Sequence, residues 1–172
     1  MSLNYDELAP IYDELYGDEQ RAKYDVILEI VKVDASSVVL DVGCGTALLS
    51  ERLKNSYYIG LDRSRGMLRV AKRRVTRYLS DLVCGDAERM PLRSEAFTYV
   101  FSITVVHEAP GLVREALRVL RTDGILAISL LKKKRELLSS LLHQLESPLV
   151  LDVEYVKDVA IISYKRAVAR VL

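Results

Sequence analysis

The stretch VVLDVGCGTALLSERL, residues 38–53, decides how this chain folds. A short β-branched run ends at Gly43 and Gly45, and a helical pattern begins at Thr46. Glycines at such a junction let the backbone turn sharply and approach a ligand with no Cβ in the way. Thr46 is expected to cap the helix, whose first amides then offer a polar, slightly positive site.

Working outward, β-branched runs and helical patterns alternate. The expected strands are 37–42, 57–62, 81–86, 97–103 and 124–131, with helical segments near 20–32, 46–54, 64–79, 111–121 and 133–146. Alternation of this kind means βα units and a mainly parallel sheet covered on both faces. The tail differs. PLVLDVEYV and DVAIISYKR follow one another almost directly, and so short a link joins only antiparallel strands. The expected fold class is therefore α/β: a doubly wound, mainly parallel sheet of seven strands with a C-terminal antiparallel hairpin and helices on both faces. One domain over 1–172 is expected, with an N-terminal helical cap (1–32), a βα core (37–131) and the terminal hairpin (148–166).

Composition narrows the function classes. Half of the 172 residues are hydrophobic, so a core forms without metals or disulfides. A net charge of +1 implies no general attraction to nucleic acid or acidic membranes. Cys44 and Cys84 lie far apart with no histidine cluster nearby, which favours a reducing compartment and no metal site. The opening MSLNYDELAP lacks the basic and apolar regions of a signal peptide, and no apolar run approaches the roughly 20 residues of a membrane span. A cytoplasmic protein without a membrane partner is expected.

Three strand ends carry carboxylates. Asp62 stands 21 positions after Asp41, where a carboxylate can accept hydrogen bonds from a ribose diol, and Asp86 ends the third strand in GDAERMPL. Each alone is more often a helix cap or a solvated loop charge. Together they converge on the carboxyl edge of the sheet, where open α/β folds bind ligands.

At these residues the chain resembles the class I S-adenosylmethionine-dependent methyltransferases. LDVGCGT resembles the family's first motif, GLDRSRGML its second and GDAERMPL its third; SITVVHEAP and EALRVLRTDGILAIS resemble the segments that follow. The resemblance implies S-adenosylmethionine as cofactor and S-adenosylhomocysteine as product. It implies that Gly43, Gly45 and the amides around Thr46 line the methionine portion, that Asp62 binds the ribose and that Met67 packs on the adenine. Asp86 and the Ala87 amide would bond the adenine, Asp41 would orient the first loop, and Ser102 and Ile103 would face the methionine side. The N-terminal YDELAPIYD resembles a segment that folds over the cofactor, making Tyr5 and Tyr12 candidates for closing the site. The same stretch also reads as an amphipathic helix with Leu8, Ile11, Tyr12 and Leu15 packed inward. Three departures stand out: Ala47 replaces a common third glycine, Thr98 a common aspartate, and RTDG a common turn, leaving Gly124 for a positive φ.

Methyl transfer from a sulfonium is an in-line displacement that needs a base only when the nucleophile must lose a proton. His107 is the candidate base, with Glu108 behind it; His107 also reads as a residue that packs or caps the helix beginning near Gly111. An NAD-binding Rossmann enzyme would share the glycine turn but lacks a counterpart to GDAE and the terminal hairpin. A non-catalytic cofactor-binding or partner scaffold would keep all of these motifs. The methyl acceptor (RNA, protein or small molecule) is not specified by the sequence. Only the short KKKRELLSSLLHQLE precedes the hairpin, which suggests an open site suited to RNA or protein, or one completed in a homo- or hetero-dimer; the alternative is a small acceptor covered by the N-terminal segment alone. The segment RSRGMLRVAKRRVTR (63–77) holds seven Arg or Lys and no acidic residue. Its apolar stripe is expected at Leu68, Ala71, Val75, Tyr78 and Leu79, leaving a basic face that reads as solvated surface or as an RNA contact.

Overall fold

The computed structural model describes residues 4–53, 55–75 and 78–166. Seven strands form one sheet in the order β3-β2-β1-β4-β5-β7-β6. The strands are β1 (Val38–Val42), β2 (Tyr57–Asp62), β3 (Ser80–Cys84), β4 (Phe97–Ile103), β5 (Leu120–Leu131), β6 (Leu149–Asp152) and β7 (Asp158–Tyr164). β1 to β5 run parallel, whereas β7 lies antiparallel between β5 and β6. This is the expected mixed sheet. Its order reverses direction beside β1, which opens a crevice at the carboxyl ends of β1 and β4.

Alternate residues of the central strands feed two cores. On one face Leu40, Val42, Val100, Leu126 and Ile128 pack beneath α4 (Leu112–Val119) and α5 (Leu138–Leu142). On the other, Val39, Phe101, Ala127 and Ala160 meet α2 (Tyr12–Ile30) and α3 (Arg65–Arg74). A strand buried on both faces can carry apolar residues at nearly every position, which is why these strands read as continuous runs.

Several expected boundaries shift. The N-terminal segment is helical from Tyr5: α1 (Tyr5–Leu8) and a 3-10 turn (Ala9–Ile11) lead into α2. Ile11 and Leu15 are 48% and 55% exposed, so the inward stripe Leu8-Ile11-Tyr12-Leu15 is not formed; Ala9 is buried instead. The helix expected at 46–54 is a 3-10 turn, Leu48–Arg52, wound by bonds that span three residues, such as Ser50 N–H to Ala47 O. α3 ends at Arg74 because Val75 turns extended, and Tyr78 stands 89% exposed. The expected stripe through Tyr78 and Leu79 therefore fails, and Met67 and Ala71 form the buried face. The segment expected as a helix at 133–146 divides into a 3-10 turn (Lys132–Leu137) and α5. Near the start of β5 the positive φ falls on Asp123 (63°), not on Gly124. Thr98 has a local partner, since its Oγ1 accepts the Val38 N–H at 3.3 Å.

Candidate functional site

The glycine turn after β1 carries φ of 73° at Gly43 and 53° at Gly45. The amides of Gly43 and Cys44 both donate to Leu61 O, at 2.7 and 3.0 Å, which ties the turn to the end of β2. A Cβ on Gly43 would lie 2.4 Å from Val105 Cγ2, so only glycine fits there. Gly45 faces open space, with nothing within 4 Å of where a Cβ would be. Ala47 is also left-handed (φ 60°), so the residue standing for a third glycine adopts a glycine's conformation at some cost.

Asp62 braces this turn. One carboxylate oxygen accepts the Gly45 N–H and the other the Ser64 N–H, each at 2.8 Å. Burial raises its pKa, against those backbone bonds. Deeper in the sheet, Asp41 accepts a 2.6 Å hydrogen bond from the Tyr58 hydroxyl. Burial pushes the Asp41 carboxyl up to about 7, and the nearby charge of Asp62 adds to the effect.

These elements border a cavity of about 290 Å³. Of the residues the sequence pointed to, Tyr12, Gly43, Gly45, Asp62, Met67, Asp86, Ala87 and Ile103 line it, and so does Tyr5. Three do not. Asp41 is buried beneath the turn on Tyr58, and the Ser102 hydroxyl is spent on Val42 O within the sheet. Thr46 neither lines the cavity nor caps the turn: its hydroxyl donates to Asp13 at 2.5 Å, and no side chain caps Leu48–Arg52. Asp86 closes an Asx turn by accepting the Glu88 N–H, which holds the loop after β3 against the cavity.

The N-terminal segment crosses the cavity as a strap. Asp6 accepts from Ser64 Oγ (2.7 Å) and Gly66 N (2.6 Å), and these bonds hold its carboxyl below the usual range. Gly66 is required because a Cβ there would sit 2.8 Å from the Asp6 backbone. Tyr5 donates to Glu108 at 3.1 Å, and burial together with that carboxylate raises its pKa to about 12. Arg63 approaches the same glutamate at 3.4 Å.

A second cavity, of about 690 Å³, adjoins the first; Tyr5, Tyr12, Thr104 and Glu108 line both. His107 lines only the second. Its Nδ1 is buried with no hydrogen-bond partner, and burial lowers its pKa.

The cluster that sequence reading missed lies at this junction. Lys23, 2% exposed, contacts Glu19 (2.9 Å), Asp158 (3.0 Å) and Thr104 Oγ1 (2.9 Å). Thr104 and Ser129 in turn donate to Asp158 Oδ2, at 2.7 and 2.5 Å. Thr104 has φ 65°, which is unusual for a β-branched residue. The network holds it there. Lys23 and Asp158 are 135 positions apart, so no local pattern pairs them.

Known proteins resemble this chain in sequence and in fold. A family model described as "Methyltransferase domain" matches residues 40–128. A malonyl-[acyl-carrier protein] O-methyltransferase of Marinomonas sp. is 33% identical over 77% of this chain and 52% of its own length. A demethylmenaquinone methyltransferase of Renibacterium salmoninarum is 32% identical over 73% of this chain and 56% of its own. The chain thus spans about half the length of these curated relatives. Among solved structures, one described as an S-adenosyl-L-methionine-dependent methyltransferase of Methanococcus maripaludis superposes with a TM-score of 0.79 at 17% identity, covering 99% of this chain and 100% of its own. The methyltransferase solved in complex with the Trm112 methyltransferase activator of Haloferax volcanii gives 0.77 at 13% identity, covering 97% and 100%.

Proposed function

The chain belongs to the class I S-adenosylmethionine-dependent methyltransferase family, and from that premise we propose that it transfers a methyl group to an acceptor held in the second cavity. The observation that carries this reading is the meeting of two cavities at Tyr5, Tyr12, Thr104 and Glu108, one beside the glycine turn and one beside His107.

The residues present fit S-adenosylmethionine. Gly43 and Gly45 leave a cradle that any Cβ would narrow, and Met67, Ile103 and Ala109 give it apolar walls. Asp62 uses one lone pair of each oxygen on backbone amides and keeps acceptor capacity for a ribose diol. Asp86 and the Ala87 amide would meet the adenine. When bound, the cofactor supplies a methyl carbon activated by a sulfonium. The chain's own work is positioning and exclusion of water: the Tyr5–Glu108 and Asp6–Ser64 bonds draw the strap over the first cavity, and the network around Thr104 fixes the passage between the two. Burial lowers the His107 pKa and so favours the neutral imidazole, the form that accepts a proton from a nucleophile in the second cavity. Glu108 already contacts Tyr5 and Arg63 and is the weaker candidate.

A small-molecule or carrier-linked acceptor has the better support, since the curated relatives are named for malonyl-[acyl-carrier protein] and demethylmenaquinone. The RNA reading of segment 63–77 loses ground. Arg74 turns inward to Asp13 and Glu51, Arg77 lies outside the described residues, and no residue of α3 lines the second cavity. Arg65, Arg69, Lys72 and Arg73 remain outward. A hetero-partner is a second reading, motivated by the neighbour solved with an activator. The non-catalytic scaffold is the outcome if binding occurs without turnover. Free Cys44 and Cys84 suit a cytoplasmic setting, and among the described residues no helix is long and apolar enough to cross a membrane.

Calorimetry with S-adenosylmethionine, S-adenosylhomocysteine and NAD tests the cofactor, and labelled-methyl incorporation into RNA, protein and metabolite fractions of an extract tests turnover. Binding of both sulfur ligands and not NAD is expected, with label in the metabolite fraction. NAD binding without a response to either sulfur ligand would overturn the reading.

A further inference from the structure

The second cavity carries an uneven charge. Five lysines and three glutamates line it, but most already have partners. Lys23 is held by Glu19 and Asp158, Lys157 by Glu19, and Lys132 by Asp152 at 2.9 Å. Glu108 is shared by Tyr5 and Arg63. What remains uncommitted is Lys133, which makes no ion pair among the described residues, and Lys134, whose contact with Glu136 is a loose 3.9 Å. Both follow β5 in the 3-10 turn Lys132–Leu137 and line the second cavity but not the first. Glu154 lines the same cavity and makes no ion pair among the described residues. The apolar and aromatic part of the same lining is Tyr5, Tyr12, Tyr16, Leu131 and Val156.

We propose that the second cavity is an anion-anchored acceptor site, in which Lys133 and Lys134 hold the carboxylate or phosphate of a small amphiphile whose apolar body lies on Tyr16, Leu131 and Val156. The proposal rests on the cofactor and acceptor cavities assigned above and deepens that reading by naming the acceptor's chemistry. An amphiphile so anchored presents its uncharged end to the shared residues Thr104 and Glu108, beside the cofactor cavity. A polyanion fits less well, because Lys23, Lys132 and Lys157 already have carboxylate partners and Glu154 on the same lining would repel a continuous phosphate backbone. The cavity's size, about 690 Å³, matches a ligand of drug-like dimensions.

The test uses octanoate, octyl phosphate, octanol and octylamine as probes, titrated calorimetrically with and without saturating S-adenosylhomocysteine. The two anions should bind, and the alcohol and amine about fivefold more weakly, as contacts with exposed lysines allow. A preference between octanoate and octyl phosphate identifies which anion is taken. The double variant Lys133→Gln/Lys134→Gln should weaken the anions by about fivefold, the range for half-exposed charges, while Glu154→Gln tightens them. Neither change should alter S-adenosylhomocysteine affinity, and Arg73→Gln on α3 should change nothing. Octanoate binding no better than octanol, equal weakening by Arg73→Gln, or displacement of octanoate by a short RNA would overturn the anion site. Anion binding in a protein that ignores S-adenosylhomocysteine would overturn the cofactor assignment and leave the anion site standing.

Discussion

Replacing Lys23 by methionine probes the buried junction that positions Thr104. The change keeps most of the side-chain volume and removes only the cation. Lys23 and Asp158 are each 2% exposed, so solvent screens their attraction little. In the variant Asp158 Oδ2 keeps the hydroxyls of Thr104 and Ser129, but Oδ1 loses its ion-pair contact and has no hydrogen-bond partner to replace it. Breaking one side of a buried pair costs ~3–5 kcal/mol, and the two surviving hydroxyl bonds put this case near ~3 kcal/mol. Urea unfolding would read the loss as a lower midpoint at unchanged slope. Adding Asp158→Asn to Lys23→Met should recover part of it, because the orphaned charge is gone. The double-mutant cycle then gives a coupling of ~1–3 kcal/mol. Thr104 also loses its Lys23 contact, so S-adenosylhomocysteine affinity should fall even in buffer where the variant is folded. A loss below ~1 kcal/mol with additive single effects would refute the view that this pair fixes the passage between the cavities.

Asp62→Ala should weaken S-adenosylhomocysteine binding by ~1.5–3 kcal/mol and also lower the melting temperature, because the Gly45 and Ser64 amides lose their acceptor. Unchanged affinity in calorimetry would remove the ribose assignment, and Asp62→Asn, which keeps one acceptor oxygen, separates bracing from ribose binding. Asp41 has a folded pKa of about 7, raised above its ordinary value of 3.8. Its contribution to stability is therefore fully present below about pH 4 and is lost as pH rises through about 7. Denaturation midpoints between pH 5 and 8 should fall less in Asp41→Asn than in the parent, and parallel profiles would show that the buried carboxyl is not responsible. Ala47→Gly should stabilise by about 1 kcal/mol, since glycine accepts the left-handed backbone that alanine resists. Gly43→Ala should do the opposite and abolish cofactor binding, because its Cβ would overlap Val105; a thermal scan of both variants decides the pair.

Much of the fold was legible because its signals are local. Strand identity follows from β-branched runs, the parallel sheet from βα alternation, and the closing hairpin from a link too short for a crossover. The first cavity was legible for the same reason: strand ends in a parallel sheet fall on one edge whatever the loops do, so Gly43, Gly45, Asp62 and Asp86 had to converge. Helix ends were less legible. Nothing local announces that Val75 turns extended or that Ala47, not Thr46, stands at the start of a 3-10 turn.

Side-chain commitments were not legible at all. Thr46, Asp41 and Ser102 share the motif segments with residues that line the cavity, yet each is spent on Asp13, Tyr58 or Val42. Which polar groups stay free for a ligand depends on neighbours brought in by other elements. The Lys23–Asp158–Thr104 junction makes the same point from the other side: it joins α2, β7 and the end of β4, three places with no common periodicity. The sequence by itself determined the order of elements and the edge on which the ligand groups gather, since both follow from spacing along one chain. The tertiary structure alone decided which of those groups are consumed internally and where a second cavity opens, since burial and hydrogen-bond partners belong to pairs of distant residues.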